Sequence, residues 1–319
     1  MKIVMLEPLA VPVEVINQFS APYIEQGHEF IPCTNPLTET EKLERAKDAD
    51  IFIIANGLLT EEVVQQAPQL KYISVGFTGV DHVPADICIQ NNIQVSNSQG
   101  YATIPTAELA VSLMLMRTRY IPETEQRVRN GETKAGLVGS ELSFKTVGIV
   151  GTGMIGRQTA SLLKGFNCNL IGYDPFENEL ATELGIQYKS LEEVFAESDF
   201  ISLHLPLLDS TKGIVNEELI SKMKSSAILI NCARGPIVDS NALKNALNEG
   251  KIRGAGIDVF EVEPPIPTNH ELFKAKNITV TPHIAFASAE SMVRRAEIVF
   301  NNVQSYLNGS PINLIEKLK

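Results

Sequence analysis

Two groups of residues carry the chemistry legible in this sequence: a glycine cluster, and three isolated polar residues further along. Val147-Gly148-Ile149-Val150 runs straight into Gly151-Thr152-Gly153-Met154-Ile155-Gly156, and a helical stretch over 157–164 follows. This is G-x-G-x-x-G after a strand and opening a helix, the setting in which the pattern binds a dinucleotide. Gly151 allows the tight turn, Gly153 lets backbone approach a pyrophosphate, and Gly156 lets helix and strand pack closely. The ligand's charge then sits at a helix N-terminus, where N–H groups and the helix dipole favour it. A second strand, Leu170-Ile171-Gly172-Tyr173, ends in Asp174, 18 residues after Gly156. An acid at that spacing suits the diol of an adenosine ribose and repels a 2′-phosphate. Pro175 and Phe176 follow it rather than an Arg, so NAD is expected over NADP. The plainer alternative is a structural glycine turn with a loop-capping Asp.

Three later strands lead into Arg234, Glu263 and His283. Ligands of open α/β sheets bind outside the carboxyl ends of strands, so these three can converge where a nicotinamide would lie. Reduction of a 2-oxo acid needs a hydride donor, a proton donor and a cation for the carboxylate. His titrates near neutrality and can move that proton. A neighbouring Glu favours the imidazolium and orients the ring. Arg offers a planar fork of donors matched to a carboxylate. Taken singly, each has a plainer reading: a helix-capping Arg, a solvated loop Glu, a core His. The joint placement after strands of one dinucleotide-binding domain carries the argument.

The elements that must position these residues follow an alternating pattern. In the first hundred residues, strand patterns fall at 3–6, 29–32, 51–55, 72–76 and 93–96, with amphipathic stretches over 38–47 and 60–66. Thr38 and Thr60 have the character of N-caps. A long helix is expected from Thr103 to Asn130, kinked or divided at Pro122. A second run has strands at 146–150, 169–173, 200–203, 227–231, 254–258 and 278–281, and the tail from Ala289 is helical again. Such alternation implies parallel sheets covered on both faces.

The chain has 319 residues, of which 44% are hydrophobic and 20% charged, an ordinary globular composition that suits about two domains. With 27 basic and 38 acidic residues the formal net charge is −11, which argues against nucleic acid or an anionic membrane as partner. No transmembrane run is present. Cys33, Cys88, Cys168 and Cys232 form no CxxC pair, so no metal is expected, and reduced thiols in a cytoplasmic protein are the simplest reading.

At these residues the sequence resembles the D-isomer-specific 2-hydroxyacid dehydrogenases over nearly its whole length. The match takes in the glycine loop, Asp174, His204-Leu205-Pro206-Leu207 with Thr211, Asn231-Cys232-Ala233-Arg234-Gly235, the run Asp258 to Pro264, and Pro282-His283. The resemblance implies that Arg234 binds the substrate carboxylate and carbonyl, that His283 is the acid/base, and that Glu263 pairs with it. It further implies cofactor contacts from Met154, Ile155, Leu205, Pro206, Thr211, Cys232, Ala233 and Asp258, alongside Arg234 and His283. The substrate loop of the family matches Val75-Gly76-Phe77-Thr78-Gly79-Val80-Asp81, whose backbone N–H groups around Val75 and Gly76 are expected to cradle a carboxylate. Tyr101, near the domain crossing, faces either the substrate or the core.

The expected architecture is two doubly wound parallel-sheet domains. A flavodoxin-like substrate domain takes in 1–100 and 289–319, and a Rossmann NAD domain 101–288, with the active site in a closing cleft. The loop Ala55-Asn56-Gly57-Leu58-Leu59-Thr60 lacks the Arg that phosphoglycerate dehydrogenases of this family carry there. Glu263 stands where the family's formate dehydrogenases have Gln. The expected substrate is therefore a small unphosphorylated 2-oxo acid such as glyoxylate, hydroxypyruvate, pyruvate or a branched-chain analogue, with Leu58, Leu59 and Phe77 lining its pocket. The product is the D (R) hydroxy acid and the protein a homodimer, both by the same resemblance. The rival readings are an NAD-sensing corepressor-like protein, a phosphoglycerate dehydrogenase lacking a regulatory domain, and a phosphite or formate dehydrogenase.

Overall fold

The computed structural model describes residues 1–262, 265–316 and 318. It forms two compact units, Met1–Ala102 with Ala287–Lys319, and Thr103–Phe286.

The first unit begins with β1 (Lys2–Met5), α1 (Val13–Glu25), β2 (Glu29–Ile31), α2 (Glu39–Ala46), β3 (Ile51–Ile54), α3 (Glu61–Gln65), β4 (Tyr72–Val75), α4 (Ala85–Gln90) and β5 (Gln94–Ser96). The strands pair in parallel in the order β2-β1-β3-β4-β5. All residues of β3 and β4 are buried, as strands covered on both faces require. Thr38 closes a capping box with Glu41 at the start of α2, and Thr60 caps α3 through the Val63 N–H.

The second unit opens with α5 (Thr103–Thr118) and α6 (Ile121–Arg129), where one kinked or divided helix was expected. The division is at Tyr120, which takes a left-handed φ of 53°, with Pro122 in the first turn of α6. There follow β6 (Thr146–Val150), α7 (Met154–Lys164), β7 (Asn169–Tyr173), α8 (Glu179–Glu183), β8 (Gln187–Tyr188), α9 (Leu191–Glu197), β9 (Phe200–Leu203), α10 (Glu217–Ser221), β10 (Ile228–Asn231), α11 (Ser240–Asn248), β11 (Gly254–Ile257) and β12 (Ile278–Val280). The sheet runs β12-β11-β10-β9-β6-β7-β8, all parallel. Six strands were expected; the seventh, β8, is a two-residue edge strand.

The last helix, α12 (Ala289–Leu307), returns to the first unit and completes its core with Ala296, Val299, Phe300 and Val303. Its backbone carbonyls also take side-chain donors from the sheet and α1. Tyr23 Oη donates to Phe300 O at 2.6 Å, and Ser74 Oγ to Val299 O at 3.0 Å. The Phe300 ring stacks on Tyr23 and meets Phe19 and Phe30 at centroid distances of 5.8–5.9 Å. Replacing this 2% exposed side chain in Phe300→Ala should cost about 3–5 kcal/mol, read as a lowered denaturant midpoint of the first unit.

Candidate active site

In the second unit the strand order reverses between β6 and β9, and the glycine loop leaves β6 at that point. Gly151 has φ +96°, and a Cβ there would lie 2.7 Å from the His204 carbonyl carbon and 2.9 Å from Leu205 N. The loop therefore lies directly on the backbone that follows β9. A Cβ on Gly156 would fall 2.0 Å from Gly151 O, so only glycine lets α7 approach β6 this closely. Gly153 is the N-cap of α7, provides no side-chain cap, and has open space where a Cβ would be. An uncapped helix start with open space above it fits the pyrophosphate of a dinucleotide. Met154 and Ile155 form its first turn.

Asp174, at the end of β7, is tied to this loop. Its Oδ2 accepts from Thr152 N at 2.8 Å and from Thr152 Oγ at 3.3 Å, while Oδ1 accepts from Phe176 N at 3.1 Å. Thr152 Oγ in turn meets Tyr188 Oη at 2.7 Å, and Arg157 donates to Thr152 O at 2.9 Å. Asp174 thus shapes the glycine loop. Thr152, Tyr188 and Arg157 were not singled out from sequence, because their tie is tertiary. Beyond β9, Leu205 is buried, Pro206 is exposed, and Thr211 closes the turn by accepting from Leu208 N at 2.8 Å and donating to Pro206 O at 2.6 Å.

The loops after β10, β11 and β12 are neighbours, because those strands are adjacent. After β10, Cys232 and Ala233 are buried and Arg234 is half-buried. Asn231, which the matched run includes without a role of its own, braces this loop: its Oδ1 accepts from Ala233 N at 3.0 Å and its Nδ2 donates to Arg234 O at 3.0 Å. Gly235 lets the loop pass the next one, since a Cβ there would meet the Phe260 carbonyl carbon at 1.9 Å.

After β11, Asp258 is fully buried. Its carboxylate accepts from Thr281 Oγ at 2.5 Å, Ile284 N at 2.9 Å and Ala285 N at 2.9 Å, and its carbonyl accepts from His283 N at 2.7 Å. Asp258 thus folds the turn that carries His283. Burial pushes its carboxyl above the ordinary Asp value, while the Thr281 hydroxyl, the two amides and His283 pull the other way. His283 sits at φ +55°, a left-handed conformation for a non-glycine residue, with the Phe286 ring edge-on at 5.6 Å. Glu261 pairs with His270 at 2.9 Å. Glu263 lies outside the described residues.

In the first unit, one expectation changes. Gly76 N donates to Ile54 O at 2.7 Å, so it does not offer its N–H to a carboxylate, while Val75 is the last residue of β4. The glycine is needed for packing: a Cβ would stand 2.9 Å from Leu9 Cδ2 and 3.1 Å from Ile54 O. Tyr101 is 1% exposed, its ring tilted against Phe77 at 6.3 Å and under the Arg295 guanidinium at 5.9 Å. Leu59 and Phe77 are likewise buried, whereas Leu58 is exposed.

Residues 111–285 match the family model "D-isomer specific 2-hydroxyacid dehydrogenase, NAD binding domain". The chain belongs to this family. A glyoxylate reductase of Thermococcus litoralis is 40% identical over 286 residues, covering 86% of each chain. A D-3-phosphoglycerate dehydrogenase of Methanocaldococcus jannaschii is 38% identical over 86% of this chain, which spans about half (52%) of that relative's length. Among solved structures, the D-lactate dehydrogenase of Aquifex aeolicus complexed with NAD and lactic acid superposes with a TM-score of 0.82 at 30% identity, covering 97% of this chain and 96% of that one. The second unit of this dehydrogenase is accordingly an NAD-binding domain, and the chain an NAD-dependent oxidoreductase. None of its described helices is long and apolar enough to cross a membrane.

His204, from the matched segment after β9, is held by Ser202 Oγ at 2.9 Å from its Nε2, and its buried Nδ1 has no partner among the described residues. Burial lowers its pKa to about 4. The unfolded chain binds a proton here below about pH 6.5, whereas the folded dehydrogenase resists it down to about pH 4. The stability from a neutral His204 is therefore complete above pH 6.5 and is lost as the pH falls toward 4. Thermal melts of wild type and His204→Gln should diverge at pH 7 and converge toward pH 4.

Proposed function

We propose that the chain reduces a small unphosphorylated 2-oxo acid to the D-2-hydroxy acid, with His283 as the acid/base. The observation that carries this reading is the Asp258-held turn, which keeps His283 in a left-handed conformation beside the loop of Arg234. Bound NADH supplies the hydride for the carbonyl carbon. A protonated ring nitrogen of His283 gives its proton to the carbonyl oxygen, and Arg234 pairs with the substrate carboxylate. Glu263 holds the imidazolium form in this scheme. Met154, Ile155, Leu205, Pro206, Thr211, Cys232 and Ala233 face the cofactor, and Asp174 takes its ribose diol. The relatives named glyoxylate reductase and hydroxypyruvate reductase support an uncharged side chain on the substrate. The same reading carries a cytoplasmic homodimer.

The test is loss of NADH absorbance against glyoxylate, hydroxypyruvate, pyruvate, 2-oxoisocaproate and 3-phosphohydroxypyruvate. One of the unphosphorylated acids is expected to turn over best; a wide preference for the phosphorylated one would refute the reading. His283→Ala should bind NADH as wild type does yet lose roughly 10²–10⁴ in turnover. Asp174→Ala should narrow the preference for NADH over NADPH and weaken NADH binding too, because Thr152 loses its acceptor. Competition titrations with both coenzymes read the two effects separately.

A further inference from the structure

Thr152 is the second residue of the glycine loop, and each of its polar groups has a fixed partner. Its N–H donates to Asp174 Oδ2 at 2.8 Å, and its carbonyl accepts from Arg157 at 2.9 Å. Its hydroxyl lies 3.3 Å from Asp174 Oδ2 and 2.7 Å from Tyr188 Oη. Tyr188 Oη in turn accepts from Asn178 N at 2.9 Å. The Asn178 side chain caps α8, accepting from Leu180 N at 3.0 Å, so its backbone is held at the helix start. Thr152 is 1% exposed, so water does not compete for its hydroxyl.

The chemistry of the two ends gives this chain of groups a direction. A backbone N–H only donates and a carboxylate only accepts. Asn178 N therefore donates to Tyr188 Oη, the Tyr188 hydroxyl donates to Thr152 Oγ, and the Thr152 hydroxyl donates to Asp174 Oδ2. Each hydroxyl that accepts a hydrogen bond becomes a stronger donor. Tyr188 reaches the loop because of the residue beside it. Gly172 is its partner in the β7–β8 ladder, and a Cβ there would stand 2.6 Å from Ile186 Cγ2 and 3.5 Å from Thr152 Cγ2. Paired residues of a ladder project to the same face, so glycine keeps that face clear between the tyrosine and the threonine. The two-residue strand β8 thus does more than extend the sheet: it delivers one hydroxyl to the glycine loop.

We propose that Tyr188 is a positioning residue for coenzyme selection: through Thr152 it holds the Asp174 carboxylate in the orientation that accepts the hydroxyls of the adenosine ribose. This rests on the ribose contact of Asp174 proposed above. Without the tyrosine hydroxyl, Thr152 Oγ can turn away, and Asp174 Oδ2 keeps only the Thr152 N–H. The loss falls on NADH, whose diol donates to that carboxylate, and not on NADPH, whose 2′-phosphate is repelled by it. A loosened glycine loop would instead weaken both coenzymes alike, because they share the pyrophosphate.

The experiment titrates NADH and NADPH, followed by nicotinamide fluorescence with no 2-oxo acid present. The proteins are wild type, Tyr188→Phe, Thr152→Val, Thr152→Ser, Asp174→Ala and Tyr188→Phe/Asp174→Ala. Tyr188→Phe should weaken NADH roughly three- to tenfold, the scale of one hydrogen bond, and leave NADPH within about twofold. Thr152→Val should do the same and serves if the phenylalanine variant does not fold. Thr152→Ser keeps the hydroxyl and should keep the wild-type preference. Once Asp174 is alanine, Tyr188→Phe should no longer move the ratio of the two affinities. If Asp174→Ala narrows the preference while Tyr188→Phe and Thr152→Val leave it at the wild-type value, the proposal alone is overturned. Loss of both affinities by the same factor in Tyr188→Phe overturns it equally. An unchanged preference in Asp174→Ala overturns the ribose contact, and the proposal with it.

Discussion

The second unit's chemistry depends on one buried carboxylate. Asp258 follows β11 directly and binds its neighbours on both sides: its N–H donates to Asn231 O at the end of β10, and its side chain gathers the Thr281 hydroxyl and two amides after β12. A carboxylate with no exposed surface is costly to bury unless donors saturate it. Those donors are supplied by the turn that holds His283 at φ +55°. Folding of the turn and presentation of His283 are thus one event. The Asn231 side chain does the same for the loop of Arg234, through two hydrogen bonds of 3.0 Å.

Close approach of backbones is the second constraint, and glycine is its instrument. Gly151 against His204, Gly156 against Gly151 and Gly235 against Phe260 each place main chain where any side chain would collide. These contacts bring loops from separate strands to one end of the sheet. Gly57 works in the opposite sense in the first unit, leaving room for the Glu7 carboxylate rather than for backbone.

Most strands were legible because a parallel strand buried on both faces is a short unbroken apolar run, as in Ile51–Ile54. The glycine loop between β6 and α7 was legible because its motif is local. What escaped was tertiary. Gln187-Tyr188 is too short for any periodicity, and Glu7 and Lys42 meet only after β1 and α2 have packed. The N–H of Gly76 looks available in sequence, since nothing local reveals that Ile54 O will take it. That Asp258 anchors the neighbouring turn is likewise invisible in its motif, because Thr281, Ile284 and Ala285 reach it only through the pairing of β11 with β12.

The return of α12 to the first unit has a consequence for synthesis. Residues 103–286 form an uninterrupted stretch, and its two core clusters draw only on residues of that stretch. The first hundred residues emerge earlier yet lack Ala296, Val299, Phe300 and Val303 from their core. They must wait, with the apolar faces of Ile3, Ile53 and Tyr72 uncovered, while nearly two hundred residues are translated. The portion made first is completed last, and during that interval it is the part of the nascent chain most in need of a chaperone.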